Sequence, residues 1–248
     1  MAKPGEINYV RLLSPAEIAH AKGKPFTDSQ CGQYLTQIGA IFTLLPEPPG
    51  KLLDVGCGTG WTSVLFGKRG YDVVGVDICP EMIDVANQNK ADAGLENVRF
   101  ETHDYEAMGF ENQFDIAVFF DALHHCEHEV AALKAVCKAL RSGGVCILSE
   151  PGTGHADAEG SKHAVEKYGV NEKDMPPSTI WGHAQLAGFS RVAVRPNANV
   201  LNTLLYDRSY EPVAYSDSLQ GYPESRFSMH LPGLFDFSNQ GITILMKS

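Results

Sequence analysis

The chain has 248 residues, 20 Lys plus Arg against 30 Asp plus Glu, a formal net charge of −10 and a hydrophobic fraction of 44%. That length and apolar share fit one large or two small domains with a buried core, and argue against a fibrous repeat or a disordered chain. The acidic balance opposes a general grip on nucleic-acid phosphates, no run approaches the roughly 18 apolar residues that cross a bilayer, and Met1 to Val10 has no signal-like apolar stretch. The expectation is a soluble, cytoplasmic protein with no nucleic-acid or membrane partner. Cys31, Cys57, Cys79, Cys126, Cys137 and Cys146 are scattered without a CxxC pair, so buried free thiols are expected rather than a disulfide framework. Between Glu101 and Val130 there are eight acidic residues and no Lys or Arg, so that window carries −8 of the −10.

In chain order, Ser29 to Leu45 predicts a helix closed by Pro46, Pro48 and Pro49. From Lys51 the text alternates short apolar runs with amphipathic ones. Lys51 to Val55, Asp72 to Val76, Val98 to Glu101, Phe114 to Phe120 and Gly144 to Ser149 read as parallel strands covered on both faces. Helices are expected at Gly60 to Lys68, Pro80 to Ala93 and Glu127 to Arg141, the last with Val130, Leu133, Val136, Cys137 and Leu140 on one face and Gly143-Gly144 stopping it. Residues 151–177 read as a long loop that can hold a short helix. A helix at Ser178 to Ala187, a strand at Arg191 to Arg195, an insertion over 196–239 and a strand at Gly241 to Lys247 complete the chain. Interleaved helices and buried strands mean βαβ units. The fold class is α/β, a doubly wound, mostly parallel seven-stranded sheet in a single domain. Within it, residues 1–50 form an N-terminal helical lid, 51–151 a ligand-binding core and 152–248 a second half carrying the insertion.

The strongest local signal is Asp54-Val55-Gly56-Cys57-Gly58-Thr59-Gly60, a strand running into a glycine-rich turn that opens a helix. Glycines permit positive φ and let a ligand approach the backbone. A dinucleotide fingerprint, G-x-G-x-x-G, would put its third glycine where Trp61 stands, and no Gly-Lys-Ser/Thr follows for a phosphate loop. Asp77 ends the second strand, where an acid can accept both ribose hydroxyls. Asp104 follows the third strand, where a carboxylate can accept from an exocyclic amine, and Phe119-Phe120-Asp121 ends the fourth. Singly, each has a bland explanation: a tight turn, a helix cap before Pro80, a solvated loop acid. In register at four consecutive strand ends, they describe one ligand edge.

With Asp-Ala-Leu-His-His after the fourth strand, the stretch from Lys51 to Pro151 resembles a class I S-adenosylmethionine-dependent methyltransferase of the small-molecule type. The resemblance implies that Gly56, Gly58 and Gly60 approach the methionine part of the cofactor, that Asp77 holds the ribose, and that Asp104 with Tyr105 reads the adenine. It further implies that Asp54, directly or through water, and the backbone of Phe119 or Phe120 position the amino group, with Cys57, Trp61, Ile78 and Met82 also around the cofactor and Tyr34 helping to cover it.

Methyl transfer is an in-line displacement in which a protein mainly aligns and desolvates. If the acceptor is a poor nucleophile, His125 is the expected general base, with His124 orienting it. No metal is expected: His124, His125, Cys126 and His128 could suggest one, with Glu150 and His155 as outside help, but His124 and His125 are adjacent and no C-x-x-C pair occurs. Phe119-Phe120-Asp121-Ala122 is not the Asn/Asp-Pro-Pro-Tyr/Phe motif of enzymes that methylate base or amide nitrogens, and no Pro-Cys stands there for cytosine chemistry. A small-molecule acceptor methylated on O or N remains, recognised by the appended segments, with Tyr206, Tyr210, Tyr215, Tyr222, Arg208 and Arg226 as candidates. Two alternatives stay open: a non-catalytic module that binds S-adenosylmethionine and, at odds with Trp61, a nicotinamide-dependent oxidoreductase.

Overall fold

A computed structural model describes residues 4–197 and 240–248. The N-terminal part carries three helices, α1 (Pro4–Asn8), α2 (Pro15–Lys22) and α3 (Cys31–Leu44), with a 3-10 turn over Tyr9–Leu12. Then β1 (Lys51–Val55), α4 (Trp61–Arg69), β2 (Asp72–Asp77), α5 (Pro80–Asp92), β3 (Val98–Thr102), β4 (Phe114–Phe120), α6 (Glu129–Ala139), β5 (Leu140–Ser149), α7 (Glu159–Tyr168), α8 (Pro177–Ala187), β6 (Arg191–Arg195) and β7 (Ile242–Met246) follow. The strands form one sheet in the order β3-β2-β1-β4-β5-β7-β6, in which β7 runs antiparallel to β5 and β6 and the other neighbours are parallel.

The continuous apolar runs are buried because both faces are covered. Alternate residues point to opposite sides: Leu53 and Val55 join the core under α6 and α8, while Leu52 joins Ile38, Ile41 and Phe66 under α3 and α4. Each fully buried aliphatic or aromatic side chain contributes about 1.5–3 kcal/mol of transfer free energy. The chain reverses direction across the sheet between β1 and β4. In open α/β sheets the ligand crevice lies at that switch point, outside the carboxyl ends of the strands.

One sequence expectation is corrected. The helix expected over Glu127 to Arg141 ends at Ala139, and β5 begins at Leu140, not Gly144. Leu140 is fully buried and pairs with Phe114 in the ladder, so the chain leaves the helix to join the sheet before reaching the glycines. Gly143, at φ +77°, and Gly144 instead sit inside the strand beside the register shift between Phe114 and Ile116. Residues 151–177 do hold the short helix that the sequence allowed, α7, of ten residues and ended by Gly169 in the left-handed region. The insertion tyrosines and Arg208 and Arg226 lie outside the described residues.

Candidate active site

The three glycines of the β1–α4 turn all have positive φ, but for different reasons. A Cβ on Gly56 would lie 2.5 Å from Ala122 Cβ, and one on Gly60 would lie 2.5 Å from the Phe100 ring and 2.8 Å from Ala86. A Cβ on Gly58 would meet nothing within 4 Å. Gly60 is therefore a packing residue that lets α4 start close against α5 and β3. It does not line the cavity.

Asp54 likewise stands back from the cavity. It is 1% exposed, lies outside the cavity lining, and accepts hydrogen bonds from Thr62 Oγ1 (2.7 Å) and Ser63 Oγ (2.5 Å). Its work is to fix the first turn of α4 under the loop. Burial pushes its carboxyl up to about 6 although both hydroxyls pull it down. Phe119 is fully buried, edge to face with Tyr105, so the neighbouring Phe120 presents the end of β4 to the cavity.

The remaining expected residues converge. Gly56, Cys57, Gly58, Trp61, Asp77, Ile78, Met82, Asp104, Tyr105, Phe120, His124 and His125 line a single cavity of about 740 Å³ at the carboxyl ends of β1 to β4. Asp77 is fixed in its wall: Oδ2 accepts from Gly58 N and Oδ1 from Cys79 N, both at 2.9 Å, which locks the carboxylate to the glycine loop. Burial raises the Asp77 carboxyl above the usual range, with those N–H donors opposing it. Asp104 Oδ1 accepts from Glu106 N (2.9 Å), and the Tyr105 hydroxyl donates to Ala122 O (3.0 Å), so the β3 and β4 ends are tied together. Trp61 packs edge to face on Phe120 (5.3 Å between centroids) and on Tyr34 (6.0 Å), forming an aromatic wall. Asp121, at φ +48°, turns the chain off β4 at the rim, the kind of strained backbone that clusters at working sites.

Beyond that rim lies a polar cluster. Glu150, at the end of β5 and 4% exposed, takes up the backbone of the Ala122–His124 segment: Oε1 accepts from Ala122 N (3.1 Å) and Leu123 N (2.8 Å), Oε2 from His124 N (3.3 Å). Oε2 also lies 2.8 Å from His124 Nδ1, so that nitrogen carries the proton. Burial opposes charge on His124, but Glu150 outweighs it and raises the imidazole above its ordinary value. His125 Nδ1 donates to Asn171 O at 2.7 Å, and burial followed by the neighbouring His124 pushes His125 down to about 4. A neutral ring of that kind holds a proton weakly, which counts against the expected general base, but its Nε2 lone pair remains an acceptor. Glu172 stands 3.6 Å from His124 Nε2 and 2.6 Å from His155 Nε2.

Sequence reasoning overlooked Asn171, Glu172 and most of the cover. The cavity is roofed by Glu6, Tyr9, Leu13, Glu17 and His20 from the N-terminal helices, with Tyr168 and Val170 after α7. Thr59 Oγ1 donates to Ala21 O (3.0 Å), Tyr168 donates to Glu17 (3.0 Å), and Tyr9 meets Tyr168 edge to face at 5.0 Å. The readable signal was Ser14-Pro15-Ala16-Glu17: Ser14 Oγ accepts from Glu17 N while Glu17 accepts from Ser14 N, a capping box with Pro at the first helical position.

The family model described as "Methyltransferase domain" matches residues 47–207, more than half of the chain. The ubiquinone biosynthesis O-methyltransferase of Psychrobacter arcticus is 35% identical over 102 residues, covering 40% of each chain, so the chain spans about 40% of the length of that curated relative. In structure, the chain is similar to phosphoethanolamine N-methyltransferase 2 of Haemonchus contortus, solved with S-adenosyl-L-methionine (TM-score 0.67, 17% identity, all of this chain and 60% of that one). It is also similar to YcgJ of Bacillus subtilis (TM-score 0.57, 19% identity, 86% and 98% covered). The likeness at those identities shows the fold, and the sequence match shows the family: the chain belongs to the methyltransferase domain family.

Proposed function

We propose that this protein is a cytoplasmic S-adenosylmethionine-dependent methyltransferase acting on a small molecule, on oxygen or nitrogen. The observation that carries the reading is the single cavity on which the β1 to β4 ends converge, with the glycine turn, Asp77 and Asp104–Tyr105 along one side and His124–His125 beyond Phe120. The chain's residues fit the cofactor: the space over Gly58 is open, so its backbone can be approached, and the Asp77 carboxylate faces the same space in a pose fixed by two N–H donors. Bound there, S-adenosylmethionine supplies a methyl group already activated by its positive sulfur. The protein's own work is to align and to exclude water. Asp77 would accept the ribose hydroxyls, Asp104 and Tyr105 would border the adenine, Cys57, Ile78 and Met82 would pack against it, and Trp61, Phe120 and Tyr34 would keep the reacting end dry.

At the acceptor end, His125, which lines the cavity, would touch the acceptor through Nε2, with His124 held by Glu150. A proton shared by the acceptor would be drawn toward that nitrogen by a hydrogen bond, which orients the attacking lone pair. The N-terminal cover and the residues after α7 would recognise the acceptor. The small size and mixed polar and aromatic lining suit a metabolite better than a nucleic acid. The six thiols, all unbridged and five of them buried, suit a reducing compartment.

Incubation with methyl-labelled S-adenosylmethionine and a fractionated metabolite extract tests this reading. Reproducible label in a small molecule, absent with the Asp77→Ala variant, is the expected result. No transfer, with intact binding of S-adenosylhomocysteine, would leave only a non-catalytic binding module.

A further inference from the structure

His124 and His125 are neighbours in the chain, a spacing that ordinarily sends side chains apart. Here the 3-10 turn over Leu123–His125 lays their rings 4.0 Å apart between centroids and tilted by 39°. One ligand-type atom from each, together with a carboxylate oxygen of Glu172 from the segment after α7, all lie within 4.8 Å of one another. The His124 side chain is 5% exposed, and its Nε2 already stands 3.6 Å from Glu172.

The surroundings of this trio have a specific form. His124 gives its Nδ1 proton to the Glu150 carboxylate at 2.8 Å, and His125 gives its Nδ1 proton to the Asn171 carbonyl at 2.7 Å. Both bonds leave Nε2 as the nitrogen with a lone pair. Glu172 is itself held by His155 at 2.6 Å. A carboxylate or carbonyl behind each imidazole and a donor behind the carboxylate are the supports that fix metal ligands in tautomer and orientation. Metal-to-ligand bonds of about 2.0–2.1 Å in a tetrahedron set ligand atoms about 3.4 Å apart, so the trio, spread over as much as 4.8 Å, would need to close by up to about 1.4 Å.

We propose that His124, His125 and Glu172 form a binding site for a divalent transition cation of the zinc type, with three protein ligands and the fourth position open. His124, His125 and Glu172 all line the cavity, so the open position takes water or an oxygen or thiol group of the molecule bound there. The donor set, two imidazoles and a carboxylate, suits zinc or cobalt and not calcium or magnesium, which prefer oxygen alone. Sequence spacing argued against a metal because the third ligand arrives from a distant segment and because adjacent histidines share one side only in this turn. The use of such a cation in methyl transfer rests on the function proposed above; its binding does not. With the cation in place, His125 Nε2 would hold the acceptor through the metal and not by a direct hydrogen bond.

The test titrates Co2+ into the metal-stripped full chain. It reads visible absorption and stoichiometry, with Zn2+ competition and, in the same samples, S-adenosylhomocysteine affinity. The expected result is one Co2+ per chain with the intense visible bands of four-coordinate cobalt, displaced by Zn2+. Affinity should fall at least about a hundredfold in Glu172→Gln, and about ten- to a hundredfold in His155→Asn, which removes only a support. Both variants should keep the melting temperature and S-adenosylhomocysteine affinity of the parent. Absence of stoichiometric binding, cobalt that stays six-coordinate and aquo-like, or equal affinity in parent and variants would overturn the site. Should Glu172→Gln fail to fold, the parent's cobalt spectrum decides alone. Cobalt binding without S-adenosylhomocysteine binding would sink the cofactor reading and leave the metal site standing; the reverse would sink the metal site only.

Discussion

Asp54 offers a prediction whose size follows from one buried group. Its carboxyl is 1% exposed and pushed up to about 6 from 3.8 by burial, against the pull of the Ser63 and Thr62 hydroxyls. A raised acid stabilises the fold while both folded and unfolded chains hold the proton. That contribution is present below about pH 4, is lost as pH rises toward about 6, and stays lost above it. At 1.36 kcal/mol per unit, a shift of about two units makes the loss about 3 kcal/mol. For a chain of this size that is roughly 6–12 °C in melting temperature. Asp54→Asn keeps a carbonyl oxygen for Thr62 and Ser63 but cannot ionise. Melting curves of parent and variant between pH 4 and 8 would isolate the group, because every other titration cancels in the difference. The parent should lose about 3 kcal/mol relative to the variant between pH 4 and 7, while S-adenosylhomocysteine affinity stays the same. Parallel curves would refute the burial argument, and lost affinity would return Asp54 to the cofactor.

Two further outcomes separate structural from ligand-facing residues. Gly58→Ala should fold at a strain cost of roughly 1–2 kcal/mol, since φ is +51° and nothing meets the new Cβ, yet lose at least about tenfold in S-adenosylhomocysteine affinity by calorimetry. Gly60→Ala should do the opposite, lowering the melting temperature further through the Phe100 and Ala86 contacts while its folded fraction binds normally. His125→Ala should keep cofactor-product affinity and lower turnover by roughly tenfold, the loss of one orienting hydrogen bond of about 1–1.5 kcal/mol. Unchanged turnover would mean that alignment alone suffices.

The sheet was legible because its strands are buried on both faces and so are written as unbroken apolar runs, as in Phe114–Phe120. The glycine turn was legible because positive φ leaves few residue choices. Spacing alone did not reveal which glycine borders the cavity, since Gly58 and Gly60 differ only in what a Cβ would touch, which is tertiary information. The helix α2 was missed for a related reason. None of its residues is buried, so no apolar stripe marks it, and only the capping box betrays it. Glu172 and Asn171 were unreadable because their partners are joined through space by the 3-10 turn at His124–His125. The acidic window also resolves in three dimensions. Asp104 and Asp121 face the cavity, while Glu106 accepts from Glu127 N, Glu111 pairs with Lys138, Asp115 with Arg141 and Glu129 with Lys173.

The most direct measurement of the central claim is calorimetric titration of S-adenosylhomocysteine into the parent chain and into Asp77→Ala. The account predicts about one ligand per chain with micromolar-range affinity in the parent and a loss of at least about tenfold in the variant, since hydrogen bonds to a charged group contribute roughly 1.5–3 kcal/mol. No heat in the parent, or equal affinity in both, would contradict it.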